Sequence, residues 1–284
     1  FIVVTKRKIY KSIKISKFMV LTYFTINDTI VHEAISALSE VTSSHEKLDS
    51  PVIVGGIAIQ LHTKELDILR PTSDVDLLYL PQIDSFESFA NGVGGEIQRK
   101  LRPNYQIQLK KIKKRAMYEI KVMNGQGNKA EEQFFIHFDQ LSPELREKTI
   151  YVSDREVQNA QEFEYNGIPI LIKRMEDIIP YKLKRVRKIM NSTEEISSLE
   201  RSLYEEAERG NWSGVAQAPL KRWMENIVQI QNECDLEGRK CYDPKYVRSK
   251  DLFDLSLLAQ TIEGNPRLFN LSYYFMAKKQ VDDL

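Results

Sequence analysis

The sequence predicts an α+β fold, with a mixed sheet in the first part of the chain and mainly helical structure after it. Short apolar runs with strand character (Val52 to Val54, Asp74 to Leu80, Tyr105 to Ile112, Met117 to Val122, Gln133 to Phe138) concentrate in the first half. Beyond about residue 173, apolar residues recur at helical spacing within strongly charged segments. A glycine pair, Gly55-Gly56, stands between the first apolar run and a helix-like segment from Ile57 to about Leu66. The expected division is a basic extension over 1–18, a sheet domain over 19–164 and a helical domain over 165–284.

Phe1 to Lys17 is basic and alternating, and Met19 is the expected start. The stretch lacks the apolar core of a secretory signal, and no segment has the 18 or so apolar residues of a membrane span. A cytoplasmic protein without a membrane partner is expected. Asn27-Asp28 is placed to cap a helix whose stripe is Ile30, Val31, Ala34, Ile35 and Leu38. Asp84 to Phe89 begins another helix, and Asn91-Gly92-Val93-Gly94-Gly95 reads as a flexible turn between helical pieces, since no strand leads into it as a phosphate loop requires.

Asn124 to Asn128 reads as a hairpin connection. Asn166-Gly167 forms a turn, and Ile168 to Ile172, with Pro169 near its start, reads as an edge strand. Helices are expected over Arg174 to Met190, Glu194 to Arg209, Leu220 to Ile230 and around Arg248 to Leu255, with a break at Gly210 to Gly214.

Composition excludes some classes. With 41 basic and 40 acidic residues the net charge is +1, so no global field draws nucleic acid and any RNA contact needs a local patch. Two cysteines, Cys234 and Cys241, without a histidine cluster nearby, speak for a reducing compartment and against a zinc site.

The chemistry concentrates in Val52 to Leu80. Asp74 and Asp76, two apart on a strand, project from one face while Val75 and Leu77 enter the core. Adjacent carboxylates repel unless a cation lies between them, and hard oxygen ligands suit Mg²⁺ carrying phosphates. Gly55 and Gly56 remove two Cβ atoms where a helix begins, which opens backbone N–H groups to a phosphate. Acids and glycines thus suit the two ends of one Mg-nucleoside triphosphate.

GGIAIQLH…RPTSDVDLLYL, with Arg70 and Thr72 just before the acid strand, resembles the nucleotidyltransferase superfamily and looks most like its AbiEii-like, toxin-type branch. The resemblance implies a mixed-sheet, polymerase-β-like domain followed by helices. Two later segments extend it: LIKRMEDIIPYKLKRV, where Lys182 takes the place of the family lysine, and RSKDLFDL, which resembles the family's RxKDxxDL helix and supplies Asp251. Implied roles are Asp74, Asp76 and a third acid holding two Mg²⁺ ions, with Mn²⁺ as an alternative. Gly55, Gly56, Arg70, Thr72 and Lys182 would bind the NTP, and Arg248, Lys250 and Asp251 would complete the site.

The third acid is expected at Asp139, which resembles the family position at a strand end; Glu119 is the alternative. His62 is expected to be structural, and His137 to position substrate at most. Lys184, Arg185, Arg187 and Lys188 read as a solvated face or an acceptor-RNA patch. The expected reaction moves a nucleoside monophosphate from an NTP to a hydroxyl, with an RNA (tRNA) 3′ end as leading acceptor and a cognate antitoxin as partner. Alternatives are transfer to a protein side chain, as in AMPylation, and a non-catalytic nucleotide-binding or interaction protein.

Overall fold

The computed structural model describes residues 24–43, 51–66, 68–72, 74–79, 86–100, 105–112, 117–124, 132–140, 155–192, 196–236 and 243–284. The 1–18 extension, Cys241 and the 125–128 part of the expected hairpin connection lie outside them. The fold is α+β. Seven strands form one mixed sheet: β1 (Val52–Val54), β2 (Asp74–Tyr79), β3 (Tyr105–Ile112), β4 (Met117–Asn124), β5 (Glu132–Gln140), β6 (Gln161–Tyr165) and β7 (Ile168–Ile172), in the spatial order β3-β4-β5-β2-β1-β7-β6.

Strand β2 is central, antiparallel to β1 and parallel to β5. Its alternation does what the period-2 pattern requires: Val75 and Leu77 are buried, and Asp74 and Asp76 lie on the opposite face. Register puts Ile136 and Ile120 on the apolar side with Val75. That side is covered by α1 (Thr29–Ser43), through Val31, Ile35 and Leu38, and by α3 (Phe86–Lys100), through Val93 and Ile97. The other face carries the acids.

Helix α3 runs unbroken through Asn91 to Gly95, where a turn is expected from the sequence. Close packing explains Gly94, where a Cβ would lie 3.1 Å from the Ile107 side chain, whereas at Gly92 a Cβ would make ordinary contact with Val41 at 3.5 Å. The small residue at 94 brings the helix down onto the sheet, and that contact outweighs about 1 kcal/mol of lost helix propensity.

Asn166 (φ 50°) and Gly167 (φ 79°) form the two-residue turn of the β6–β7 hairpin, both in the left-handed region as a primed turn demands. The sheet therefore continues past the expected boundary at 164. Strand β7 is also not an edge: it pairs in parallel with β1, and β6 is the outer strand. Pro169 is tolerated because β1 reaches only Leu171 and Ile172.

Beyond the sheet lie α4 (Met175–Met190), α5 (Ser198–Glu208), α6 (Trp212–Ala216), α7 (Leu220–Leu236), α8 (Pro244–Gly264) and α9 (Leu271–Asp282). Helix α5 starts with a Ser197/Glu200 capping box and α8 with Asp243 capping and Pro244 in its first turn. The expected break over Gly210 to Gly214 contains the start of α6, where Asn211 caps and Trp212 is buried against Phe269 and Tyr274. Helix α8 is the hub. Leu252, Phe253, Leu255, Leu257 and Leu258 are buried around it, and it packs against α4, α6, α7 and α2, the short helix Gly55–His62. Among the described residues, no helix is long and apolar enough to cross a membrane.

Candidate active site

The glycine pair and the acid strand meet directly. Gly55, at φ +68°, opens α2, and a Cβ there would stand 2.3 Å from the Asp76 Oδ2 atom. A Cβ on Gly56 would stand 3.0 Å from Thr72 Oγ1 and 3.3 Å from Arg70 Nη2. The two glycines thus make room for Asp76, Thr72 and Arg70 as well as baring the start of a helix.

Thr72 donates its hydroxyl to Asp74 Oδ1 at 2.7 Å and so orients that carboxylate. Asp74 is pushed above the usual carboxylate range by burial and by the charge of Asp76. On β5, level with Asp76, sits His137, whose Nδ1 lies 3.3 Å from Asp76 Oδ1 and 3.7 Å from Asp74 Oδ2. Its Nε2 lies 3.4 Å from Glu119 Oε2 on β4. Burial would lower the imidazole, but Asp76, Asp74 and Glu119 outweigh it and raise His137 to about 9.

Asp74, Asp76 and His137 can hold a metal ion: one ligand atom from each lies within 4.8 Å of the others. That spread suits a common ion with bonds of roughly 2.0–2.2 Å after small rotations. Two carboxylates and an imidazole are a mixed donor set that Mn²⁺ accepts readily, whereas Mg²⁺ favours oxygen.

Of the alternatives for the third acid, Asp139 is paired in register with Leu78 and so stands one repeat beyond Asp76; its side chain lies outside the described residues. Glu119 reaches the cluster through His137. His62 is structural: its Nε2 lies 2.7 Å from the Lys173 carbonyl, and burial lowers it to about 4.

Next to the acids lies a buried ionic network. Arg70 makes a two-point contact with Asp254 on α8, Nε to Oδ1 at 2.6 Å and Nη2 to Oδ2 at 3.1 Å. Lys182 on α4 donates to Asp251 at 2.9 Å and to Asp254 at 2.7 Å. Arg185 closes the group with two bonds to Asp251. These cations outweigh burial and hold both carboxyls below their usual range.

Lys182 and Asp251, 69 positions apart, are thus brought together by the packing of α4 on α8. The charge of Lys182 is matched there by two aspartates. Arg70 likewise serves to tie the acid loop to α8. Arg248 is buried and bonds Glu200 on α5 at 3.0 Å. Lys250 stays on the site side, close enough to Asp74 for its charge to lower that carboxyl.

The cations of α4 expected as a solvated face or RNA patch are mostly engaged. Arg185 bonds Asp251, Arg187 bonds Glu208, Asp282 and Tyr204, and Lys184 donates to the Val281 carbonyl, while Lys188 is exposed. Asp251 and Asp254, three apart, share a helix face in the sequence and are expected from it to be able to offer a carboxylate to Lys182, as they do. Sequence reasoning missed the bond of Asp254 to Arg70, the pairing of Arg185 and the place of His137 in the cluster. The one local signal was the alternation of His137 with Asp139 on a strand facing the acid pair. The unassigned segment after α4 lines, through Ala218 to Lys221, an open depression of 670 Å³ that reaches Ile68, two positions before Arg70.

No protein-family model matches the chain, and no curated protein matches it. Among solved structures the chain is similar to an antigenic nucleotidyltransferase-like protein from Paracoccidioides brasiliensis, at 15% identity over 72% of this chain and 93% of that one, with a TM-score of 0.36.

Proposed function

We propose that the chain is a divalent-cation-dependent nucleotidyltransferase that moves a nucleoside monophosphate from an NTP to a hydroxyl acceptor. The observation that carries this reading is the contact of Gly55 with Asp76: a bare helix start and a pair of carboxylates form one site. Backbone N–H groups at the start of α2 favour phosphate oxygens. Asp74, held by Thr72, and Asp76, beside His137, would hold the cation. When bound, such an ion neutralises phosphate charge and lowers the pKa of an attacking hydroxyl.

In the reaction the acceptor oxygen forms a bond to the α-phosphorus, the bond from that phosphorus to the bridging oxygen breaks, and pyrophosphate leaves. The hydroxyl proton is lost to solvent. The chain's contribution is to position the triphosphate and to keep the two acids aimed at it.

The resemblance to toxin-type enzymes makes an RNA 3′ end, that of tRNA first, the leading acceptor, and a cognate antitoxin the expected partner. A second reading, transfer to a protein side chain, draws support from the net charge of +1 and from the internal pairing of Lys184, Arg185 and Arg187, which withdraws cations from an RNA surface. Incubation with Mg²⁺ or Mn²⁺, each α-labelled NTP, cellular RNA and protein extract separates them. Label on RNA supports the first acceptor and label on protein the second, and either must vanish in Asp74→Asn and Asp76→Asn. Nucleotide binding without label would favour a binding protein that keeps the scaffold alone.

A further inference from the structure

The ionic network beside the acid strand is unbalanced. Arg70, Lys182, Arg185 and Lys250 share two fully buried carboxylates, Asp251 and Asp254, with Asp74 beyond them within reach of Lys250. Arg70, Lys182 and Arg185 each bond one or both of them. Lys250 forms no hydrogen bond or ion pair with either among the described residues, and its amine lies 5.9 Å from the centre of the Tyr246 ring. A buried cation without a carboxylate is costly, and it recurs where an anionic ligand completes the site.

The position of Lys250 suits that role. It lies one helical turn before Asp254 on α8, so both share a helix face. Asp254 holds Arg70, whose Nη2 lies beside the Cβ-less Gly56, and α8 packs against α2. Lys250 therefore shares a helix face with the aspartate that holds Arg70 at the start of α2, and its charge reaches Asp74.

We propose that Lys250, rather than Lys182, is the side chain that receives the outer phosphates of the bound triphosphate. The inference rests on the nucleotide reading above. Burial and repulsion by Arg70, Lys182 and Arg185 lower Lys250 to about 8; an arriving polyphosphate supplies the negative charge this corner lacks. Arg248, two positions earlier, cannot share the task because it is committed to Glu200.

The test is calorimetric titration of the intact chain with each Mg-NTP, with inorganic tripolyphosphate and with nucleoside monophosphates, in the unaltered protein, Lys250→Met and Lys250→Arg. Thermal melting is measured in parallel. Lys250→Met is expected to weaken triphosphate and tripolyphosphate binding by about 10- to 100-fold, the range for a charged hydrogen bond. Monophosphate binding should change by less than about twofold, since it lacks the contacted groups. The melting midpoint should be unchanged or higher, and Lys250→Arg should retain most of the affinity.

Triphosphate binding by Lys250→Met equal to that of the unaltered protein would overturn the inference and leave the nucleotide reading standing. A loss accompanied by a lowered midpoint and not restored by arginine would also overturn it, in favour of a structural lysine. Failure of the unaltered protein to bind any triphosphate would overturn both.

Discussion

Arg70 and Asp254, 184 positions apart, form a buried two-point ion pair that joins the loop before the acid strand to the central helix of the helical half. Lys182 bonds the same carboxylate from a third element. One aspartate thereby holds together the loop that aims Asp74 and the two helices that face it.

Asp254→Ala should be among the most damaging substitutions in the chain. It strands the buried Arg70 guanidinium and leaves the Lys182 amine with Asp251 alone, and removal of one partner of such a buried pair costs about 3–5 kcal/mol. Arg185→Ala should cost far less, below about 1 kcal/mol, because its side chain is 49% exposed. Denaturant unfolding of the two variants checks the contrast.

Gly55→Ala and Gly167→Ala separate strain from site chemistry. Both glycines are in the left-handed region, so alanine costs about 1–2 kcal/mol at either. Only at Gly55 does the new Cβ meet Asp76, while at Gly167 it meets nothing within 4 Å. Both variants should melt lower, and only Gly55→Ala should lose Mn²⁺ binding as well.

Thr72→Val removes the hydroxyl that orients Asp74. Loss of such an outer partner lowers metal affinity by about 10- to 100-fold. Mn²⁺ titration followed by paramagnetic resonance should find that loss. Asp74→Asn should abolish binding without lowering the melting temperature, because it relieves burial and repulsion by Asp76.

The pH dependence of stability has two signed parts. Asp251 and Asp254 are lowered in the fold from an ordinary value of 3.8. The unfolded chain therefore binds more protons in that range, so their contribution is complete above the ordinary value and is lost as pH falls through the folded one. Unfolding midpoints measured downward from pH 6 should drop, and Asp251→Asn should flatten the drop.

Lys250 acts with the same sign at the other end of the scale. Its ordinary value is 10.5, and burial first, then repulsion by Arg70, Lys182 and Arg185, lowers it to about 8 in the fold against the attraction of Asp251. Between these values the unfolded chain again holds the extra proton, so this residue makes stability rise with pH from about 8. Lys250→Met should remove that rise.

What was legible in the sequence is local. The glycine pair, the alternation of Asp74 and Asp76 with Val75 and Leu77, and the Ser197/Glu200 cap all follow from spacing within a few residues. The place of His137 depends on the register between β2 and β5, 61 positions apart, which no local pattern encodes. The same holds for Arg185, which reads as a surface cation until α8 brings Asp251 to it. Gly94 reads as a helix breaker because the side chain that requires its smallness, Ile107, lies on a strand beyond the helix.

The central claim is tested most directly by pyrophosphate release from each NTP, with total RNA and protein as acceptors, in the presence of Mg²⁺ or Mn²⁺ and after chelation. The account predicts release from at least one NTP that needs the cation and is lost in Asp74→Asn and Asp76→Asn. Release that persists in those variants, or no release from any NTP with the unaltered protein, would contradict it.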